Sequence, residues 1–331
     1  MTTNIELDHL IGQALSGVGI AREAALAMAH GAFPRDAVFD GADRIRDRFF
    51  GKAAHLCGIV NARSGACAAD CRFCAQSAHA HTAAQRYPLL PVERLVADAK
   101  KAFHDGAHCF GIITSGPAAS DAEVRSVAEA VRIIRNETRL DISVSLGMQG
   151  TDNLQILKDA GISRYHHNLE TSRAFYPSVC STHRWDQRRE TLERVKALGI
   201  ELCSGGIFGL GESWDDRIDL ALTLRDLHVK SIPINFLNPV PGTALGTRTP
   251  LQPEEALLIV ALYRYLLPDA TLRICGGRPV TLGAHQQEVF HAGANALMTG
   301  DYLTTTGVAP EADHAMITAA GLAVADNGSH A

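Results

Sequence analysis

Long apolar runs, an excess of positive charge, linker tracts and internal repeats are all missing from this chain of 331 residues. Its most apolar stretch, residues 256–267, is broken by Tyr263, Arg264 and Tyr265 and is too short to span a bilayer. The first residues are acidic, with no basic segment ahead of an apolar core, so they do not read as a secretory leader. A soluble, cytoplasmic protein with no membrane partner is expected. Lys+Arg 31 against Asp+Glu 36 leaves a net charge of -5, which argues against a sequence-independent grip on nucleic-acid phosphates. Without a Gly/Ser-rich or Pro-rich linker the chain reads as one large domain, long enough to bury about three quarters of its unfolded surface without disulfide support. The exception to this scarcity is sulfur. Eight cysteines in a reducing compartment are ligands or reactive thiols more often than disulfides.

From about residue 55 onward, short runs rich in Val, Ile and Phe alternate with longer segments of helical period, the pattern of βαβ units and a parallel sheet. Eight strands are predicted near residues 56–62, 109–114, 142–146, 163–169, 201–208, 231–237, 271–275 and 294–298. Between them lie apolar stripes such as Val124, Val127, Ala128, Val131 and Ile134. Gly106, Gly161 and Gly199 fall where helices should hand over to strands. Eight such repeats predict an α/β fold, a (β/α)8 TIM barrel over residues 51–320. Residues 1–50 are expected to add a helical cap, with Leu7, Ile11 and Leu15 on one helical face, and residues 321–331 a flexible tail after a weakly patterned segment from about Asp313.

The chemistry lies in Gly65-Ala66-Cys67-Ala68-Ala69-Asp70-Cys71-Arg72-Phe73-Cys74. Three thiolates from one short loop can hold three corners of a four-iron cluster and leave the fourth iron open to a substrate-like ligand. If the first strand ends near Ala62, this loop follows its C-terminal end, where barrel enzymes place their active sites. A structural zinc site with His79 as fourth ligand is the alternative, although the second cysteine knuckle usual in compact zinc sites is absent.

Cys-x3-Cys-x2-Cys with an aromatic residue, Phe73, before the last cysteine resembles the signature of the radical S-adenosylmethionine enzymes. Further segments, from about Ile59 to Ala320, resemble the biotin synthases within that group. They are Asn61 to Gly65, His167 to Ser172, Cys203 to Glu212, Ser231 to Leu237, Gly276 to Arg278 and Gly300 to Thr305, in that order. The resemblance implies a 4Fe-4S cluster on Cys67, Cys71 and Cys74, S-adenosyl-L-methionine as cofactor, and dethiobiotin as the substrate into which sulfur is inserted. It further implies that Asn168 and Asn235 contact the ureido ring. Glu170, where the family more often has aspartate, Arg188, Phe73 and Ser115 are implied at the cofactor site. A reducing electron-transfer protein of flavodoxin or ferredoxin type and a homodimer are also expected. Read alone, each asparagine satisfies a strand-end backbone group and Arg188 is a solvated helix residue. Two other enzymes on the same scaffold, a hydrogenase-cofactor maturase and a methylornithine-forming mutase, are alternatives that need no sulfur-donating cluster.

The chain departs from the biotin synthase pattern at the second cluster, a 2Fe-2S sulfur donor held in familiar members by three strand cysteines and an arginine. Cys203 and Arg273 match two of those positions, but the other two fall on Gly111 and Ser143, which offer no thiolate. Strand alternation supplies replacements, because residues two apart face the same side. Cys275 shares its face with Arg273, Cys109 with Gly111, and Cys57 lies on the first strand. Cys57, Cys109, Cys203 and Cys275 are therefore expected to converge on an auxiliary iron-sulfur cluster of four-iron size; the alternative is ordinary buried core thiols. Cys180 has no partner that the sequence identifies and reads as a free thiol.

Overall fold

The computed structural model describes residues 2–325. Its strands are β1 (Ala53–Arg63), β2 (Cys109–Thr114), β3 (Asp141–Ser145), β4 (Arg164–His166), β5 (Glu201–Cys203), β6 (Gly206–Phe208), β7 (Ser231–Phe236), β8 (Thr271–Ile274), β9 (Ala296–Met298) and β10 (Ala323–Val324). All pair in parallel in the order β1-β2-β3-β4-β5-β7-β8-β9, and β9 pairs back onto β1. β6 carries the fifth strand onward beside β7 after a break at Ser204 and Gly205. The closed eight-stranded ring is the expected (β/α)8 barrel. Its outer layer includes α4 (Val92–His104), α5 (Asp121–Glu137), α6 (Thr151–Ala160), α7 (Trp185–Ala197), α8 (Trp214–Asp226) and α9 (Pro253–Leu266).

Local chemistry explains the layer. On α5 the predicted stripe Val124, Val127, Ala128, Val131 and Ile134 is fully buried, and Ser120 with Glu123 closes a capping box at its start. Gly161 ends α6 in the left-handed conformation that a side chain disfavours. The expected fifth strand is split because the chain there presses on its neighbours: a Cβ on Gly205 would lie 2.0 Å from the Pro233 carbonyl oxygen, and one on Gly206 would lie 2.4 Å from that of Glu170. The fourth strand, Arg164–His166, is shorter than its apolar run predicts, and parallel pairing returns at a single bridge between Glu170, at φ 70, and Gly206.

α9 is buried all round, a pattern that needs cover on both sides. α1 (Thr2–Leu15), α2 (Arg22–Ala29) and α3 (Arg35–Phe50) supply the outer cover, packing on α9 and, through α2, on α8. The addition expected as a cap thus lies along the barrel's flank. Beyond the barrel the weakly patterned segment is ordered. α11 (Pro310–Ala319) starts on a proline, its Asp313 forms a fully buried ion pair at 2.7 Å with Arg278 of α10 (Arg278–Leu282), and β10 pairs with Ala53 and Ala54. The sequence signal was weak there because one buried charge pair, rather than an apolar stripe, anchors the helix. Residues 326–331 of the expected tail lie outside the described residues. Among the described residues no helix is long and apolar enough to cross a membrane.

Candidate radical and sulfur-donor site

The three-cysteine loop leaves the C-terminal end of β1 and folds back on itself. Cys67 N donates to the Gln76 carbonyl at 3.1 Å, Ala78 N to the Cys67 carbonyl at 2.7 Å, and Cys74 N to the Cys71 carbonyl at 3.0 Å. Gln76 Oε1 accepts from Gly65 N, and the Ser115 hydroxyl donates to the Gly65 carbonyl at 2.9 Å, so the end of β2 fixes the start of the loop. All three thiols are free, half-buried, and turned to one cavity of about 370 Å³ at the barrel mouth. His79 is exposed and its Nε2 lies 3.2 Å from the Ala68 carbonyl, outside any group of convergent metal donors among the described residues. The zinc alternative therefore lacks its fourth ligand.

Phe73, Ser115, Asn168, Glu170, Arg188 and Asn235 line the same cavity. Arg188 is far from a solvated helix residue. It reaches in from α7, pairs with Glu170 at 3.6 Å, donates through Nε to the Tyr176 hydroxyl at 2.7 Å and through a terminal nitrogen to the Asn168 carbonyl at 2.8 Å. Burial pushes the Glu170 carboxyl up, against the pull of Arg188. Burial also works against the Arg188 cation, but Glu170 and Tyr176 outweigh it and raise its pKa. Both asparagines bond strand-end backbone, as their plain reading expects: Asn168 Oδ1 accepts from Gly205 N and Asn235 Oδ1 from Gly276 N, each at 3.0 Å. Each amide still has capacity facing the cavity, because an amide offers two donors and two acceptor sites.

Four further cysteines, Cys57, Cys109, Cys203 and Cys275, are buried on β1, β2, β5 and just after β8. Cys275 lines the cavity itself, and burial pushes its thiol up to about 12. Cys203 lies 3.3 Å from His166 Nδ1 and accepts from the Ser231 hydroxyl at 3.3 Å. Burial alone would raise its pKa, but His166, Arg273 and that hydroxyl hold it down to about 6. Arg273 donates to the Ser231 hydroxyl at 3.2 Å, while its Nε is buried without a partner. Gly111 and Ser143 face each other in register across β2 and β3. Cys57 and Cys109, expected as reduced ligands of the auxiliary cluster or as core thiols, are joined as a disulfide. The reason is register: β1 and β2 place them opposite one another, with Cα atoms 4.6 Å apart.

Two contributions were not read from the sequence. His166 stands between Cys203 and the cavity, and its signal was only its parity with Asn168 on one strand. Cys180, expected without a partner, has its sulfur within 4.8 Å of that of Cys71; the spacing Cys180-x2-His183 was the available clue.

Residues 62–224 match the radical SAM superfamily, and residues 233–323 match the biotin and thiamin synthesis associated domain. A biotin synthase of Syntrophotalea carbinolica is 52% identical over 286 residues, covering 86% of this chain and 88% of that protein. One of Trichlorobacter lovleyi is 46% identical over 325 residues, 98% of each. Among solved structures, methylornithine synthase superposes with TM-score 0.83 at 17% identity, over 96% of this chain and 98% of that one. A maturase of the [FeFe]-hydrogenase gives TM-score 0.80 at 17% identity, over 96% and 75%. At that identity the last two share the fold.

Proposed function

Because the chain belongs to the biotin synthase family of the radical SAM superfamily, we propose that its residues divide the conversion of dethiobiotin to biotin between a radical site at the barrel mouth and a sulfur-donor site in the barrel interior. The observation that carries this reading is a single cavity lined by Cys67, Cys71, Cys74, Arg188 and Glu170 and also by Asn168, Asn235 and Cys275. Three free thiols that line one cavity, with His79 outside any convergent donor group among the described residues, fit a 4Fe-4S cluster with one iron left for S-adenosyl-L-methionine. When bound, that pair supplies a radical able to take hydrogen from saturated carbon.

The chain's own task is to bind, orient and exclude water. Arg188 and Glu170 present one cation and one carboxylate, suited to the charged and hydroxylated parts of the cofactor, with Phe73 and Ser115 shaping the same wall. Asn168 and Asn235 offer amide donors and acceptors to a neutral cyclic urea. Asn61 donates to the Leu303 carbonyl at 2.8 Å and so holds the Tyr302–Thr305 segment at the cavity, where it limits solvent access.

For the sulfur donor the reading assigns Cys57, Cys109, Cys203 and Cys275 as ligands of a four-iron auxiliary cluster, with Arg273 beside it. The unpartnered Nε of Arg273 and the polarised Cys203 thiol support an anionic sulfur-rich group there. Loading requires the Cys57–Cys109 bond to be opened first. The electron comes from a flavodoxin- or ferredoxin-type donor, and the assembly is a homodimer in this reading. Anaerobic incubation of the reduced, reconstituted protein with S-adenosyl-L-methionine and dethiobiotin, read by mass, is expected to give 5′-deoxyadenosine and biotin. Deoxyadenosine without biotin would remove the substrate assignment.

A further inference from the structure

A second loop, residues 179–184, is clasped to the three-cysteine loop by Asp70. That carboxylate accepts from Ser181 N at 2.9 Å, Thr182 N at 3.1 Å, the Thr182 hydroxyl at 2.9 Å and the Cys180 thiol at 3.1 Å, and from the Ser181 hydroxyl. Asp70 immediately precedes Cys71, so the clasp brings Cys180 alongside it. The sulfurs of Cys71 and Cys180 and a ring nitrogen of His183 all lie within 4.8 Å of one another, the one such triad of metal-type donors among the described residues. Cys180 is buried, and its sulfur is 3.2 Å from His183 Nδ1.

We propose that Cys71, Cys180 and His183 bind one soft divalent ion, of the zinc, cobalt(II) or iron(II) class, in the protein when it carries no four-iron cluster. Tetrahedral sites place thiolate sulfur about 2.3 Å and imidazole nitrogen about 2.0 Å from the metal, hence donors roughly 3.5–4 Å apart, so a triad within 4.8 Å closes on an ion by side-chain rotations of about 1 Å. Two thiolates and a neutral imidazole balance a dication, both thiols losing their protons to solvent as the ion enters. Orientation is already built. His183 Nε2 is 2.8 Å from the Tyr176 hydroxyl, which accepts from Arg188 Nε at 2.7 Å, and that Nε also lies 3.2 Å from His183 Nε2; Nε2–H donating to the hydroxyl is the kind of outer hydrogen bond that holds a ligating imidazole. Water completes the fourth position.

Because Cys71 belongs to both sites, occupancy is exclusive. An ion on the triad withholds one cluster ligand, and cluster formation frees Cys180 and His183. This exclusion rests on the assignment of Cys71 to the cluster; the ion site itself does not.

The test is an anaerobic cobalt(II) titration of reduced, cluster-free, full-length protein, followed by thiolate-to-cobalt charge-transfer absorption. Cys180→Ala and His183→Gln are each expected to weaken the binding they share at least tenfold, whereas Cys67→Ala leaves that component in place. His183→Gln keeps the thiols and a hydrogen-bonding side chain, so it carries the test if Cys180→Ala does not fold. Cobalt binding unchanged in a folded His183→Gln variant overturns the site. In cluster-loaded protein the His183-dependent absorption should vanish, and its persistence beside a full cluster overturns the exclusion. Since the titration uses no S-adenosyl-L-methionine or dethiobiotin, its failure is distinct from failure of the biotin synthase reading.

Discussion

Cys57 on β1 and Cys109 on β2 are bonded across one register pair, Cα to Cα 4.6 Å. The proposed donor cluster needs both as thiolates. Reconstitution after anaerobic dithiol reduction is therefore expected to add about four more irons per chain than reconstitution of the unreduced protein. Iron and sulfide analysis reads the difference, and equal contents would remove Cys57 and Cys109 from the ligand set.

Asn235 bonds backbone through Oδ1 and Nδ2 while lining the cavity. Removing the amide by Asn235→Ala should cost one good hydrogen bond to substrate, about tenfold in dethiobiotin KM. Deoxyadenosine formed in the absence of substrate should change little. A variant with unaltered KM would return Asn235 to a purely structural role.

Glu170 and Arg188 are a buried pair whose partners cannot be removed singly without cost. Arg188→Met leaves the carboxylate buried alone and is expected to lower unfolding free energy by about 3 kcal/mol, with part recovered when Glu170→Gln is added. Urea unfolding of the four combinations measures the coupling. Strict additivity would contradict a direct pair.

The barrel and the cysteine loop were legible because their signals are local. Strand alternation grouped Cys57, Cys109, Cys203 and Cys275, all of which are buried, and cysteine spacing marked the loop. Sequence could not show that register would set Cys57 against Cys109, that residues 204–205 would break a strand through backbone crowding, or that Arg188 would turn inward to Glu170. Each of these depends on which element lies beside which, and a single strand's pattern does not record its neighbour. The Asp70 clasp was equally hidden, since its partners lie more than a hundred residues away in sequence.

Glu123 links the start of α5 to the end of β1 through Arg63, at 2.7 Å. Burial alone would raise its pKa, but Ser120 and Arg63 outweigh it and hold the carboxyl below its ordinary value. Stability from such a group is present above its unfolded pKa and is lost as pH falls through the folded one. Glu123→Gln is expected to destabilise by about 1 kcal/mol near neutral pH, discounted for partial exposure, with the gap closing in acid. Urea midpoints that differ equally at both pH values would contradict the ion-pair account.

The most direct measurement of the central claim is isotope transfer from the donor site. Protein reconstituted with heavy-isotope sulfide, reduced anaerobically and given S-adenosyl-L-methionine with dethiobiotin, is expected to yield biotin carrying the heavy sulfur. Cys275→Ala should still form 5′-deoxyadenosine but little biotin. Biotin containing only light sulfur, or full biotin yield from Cys275→Ala, would contradict a sulfur donor housed in the barrel interior.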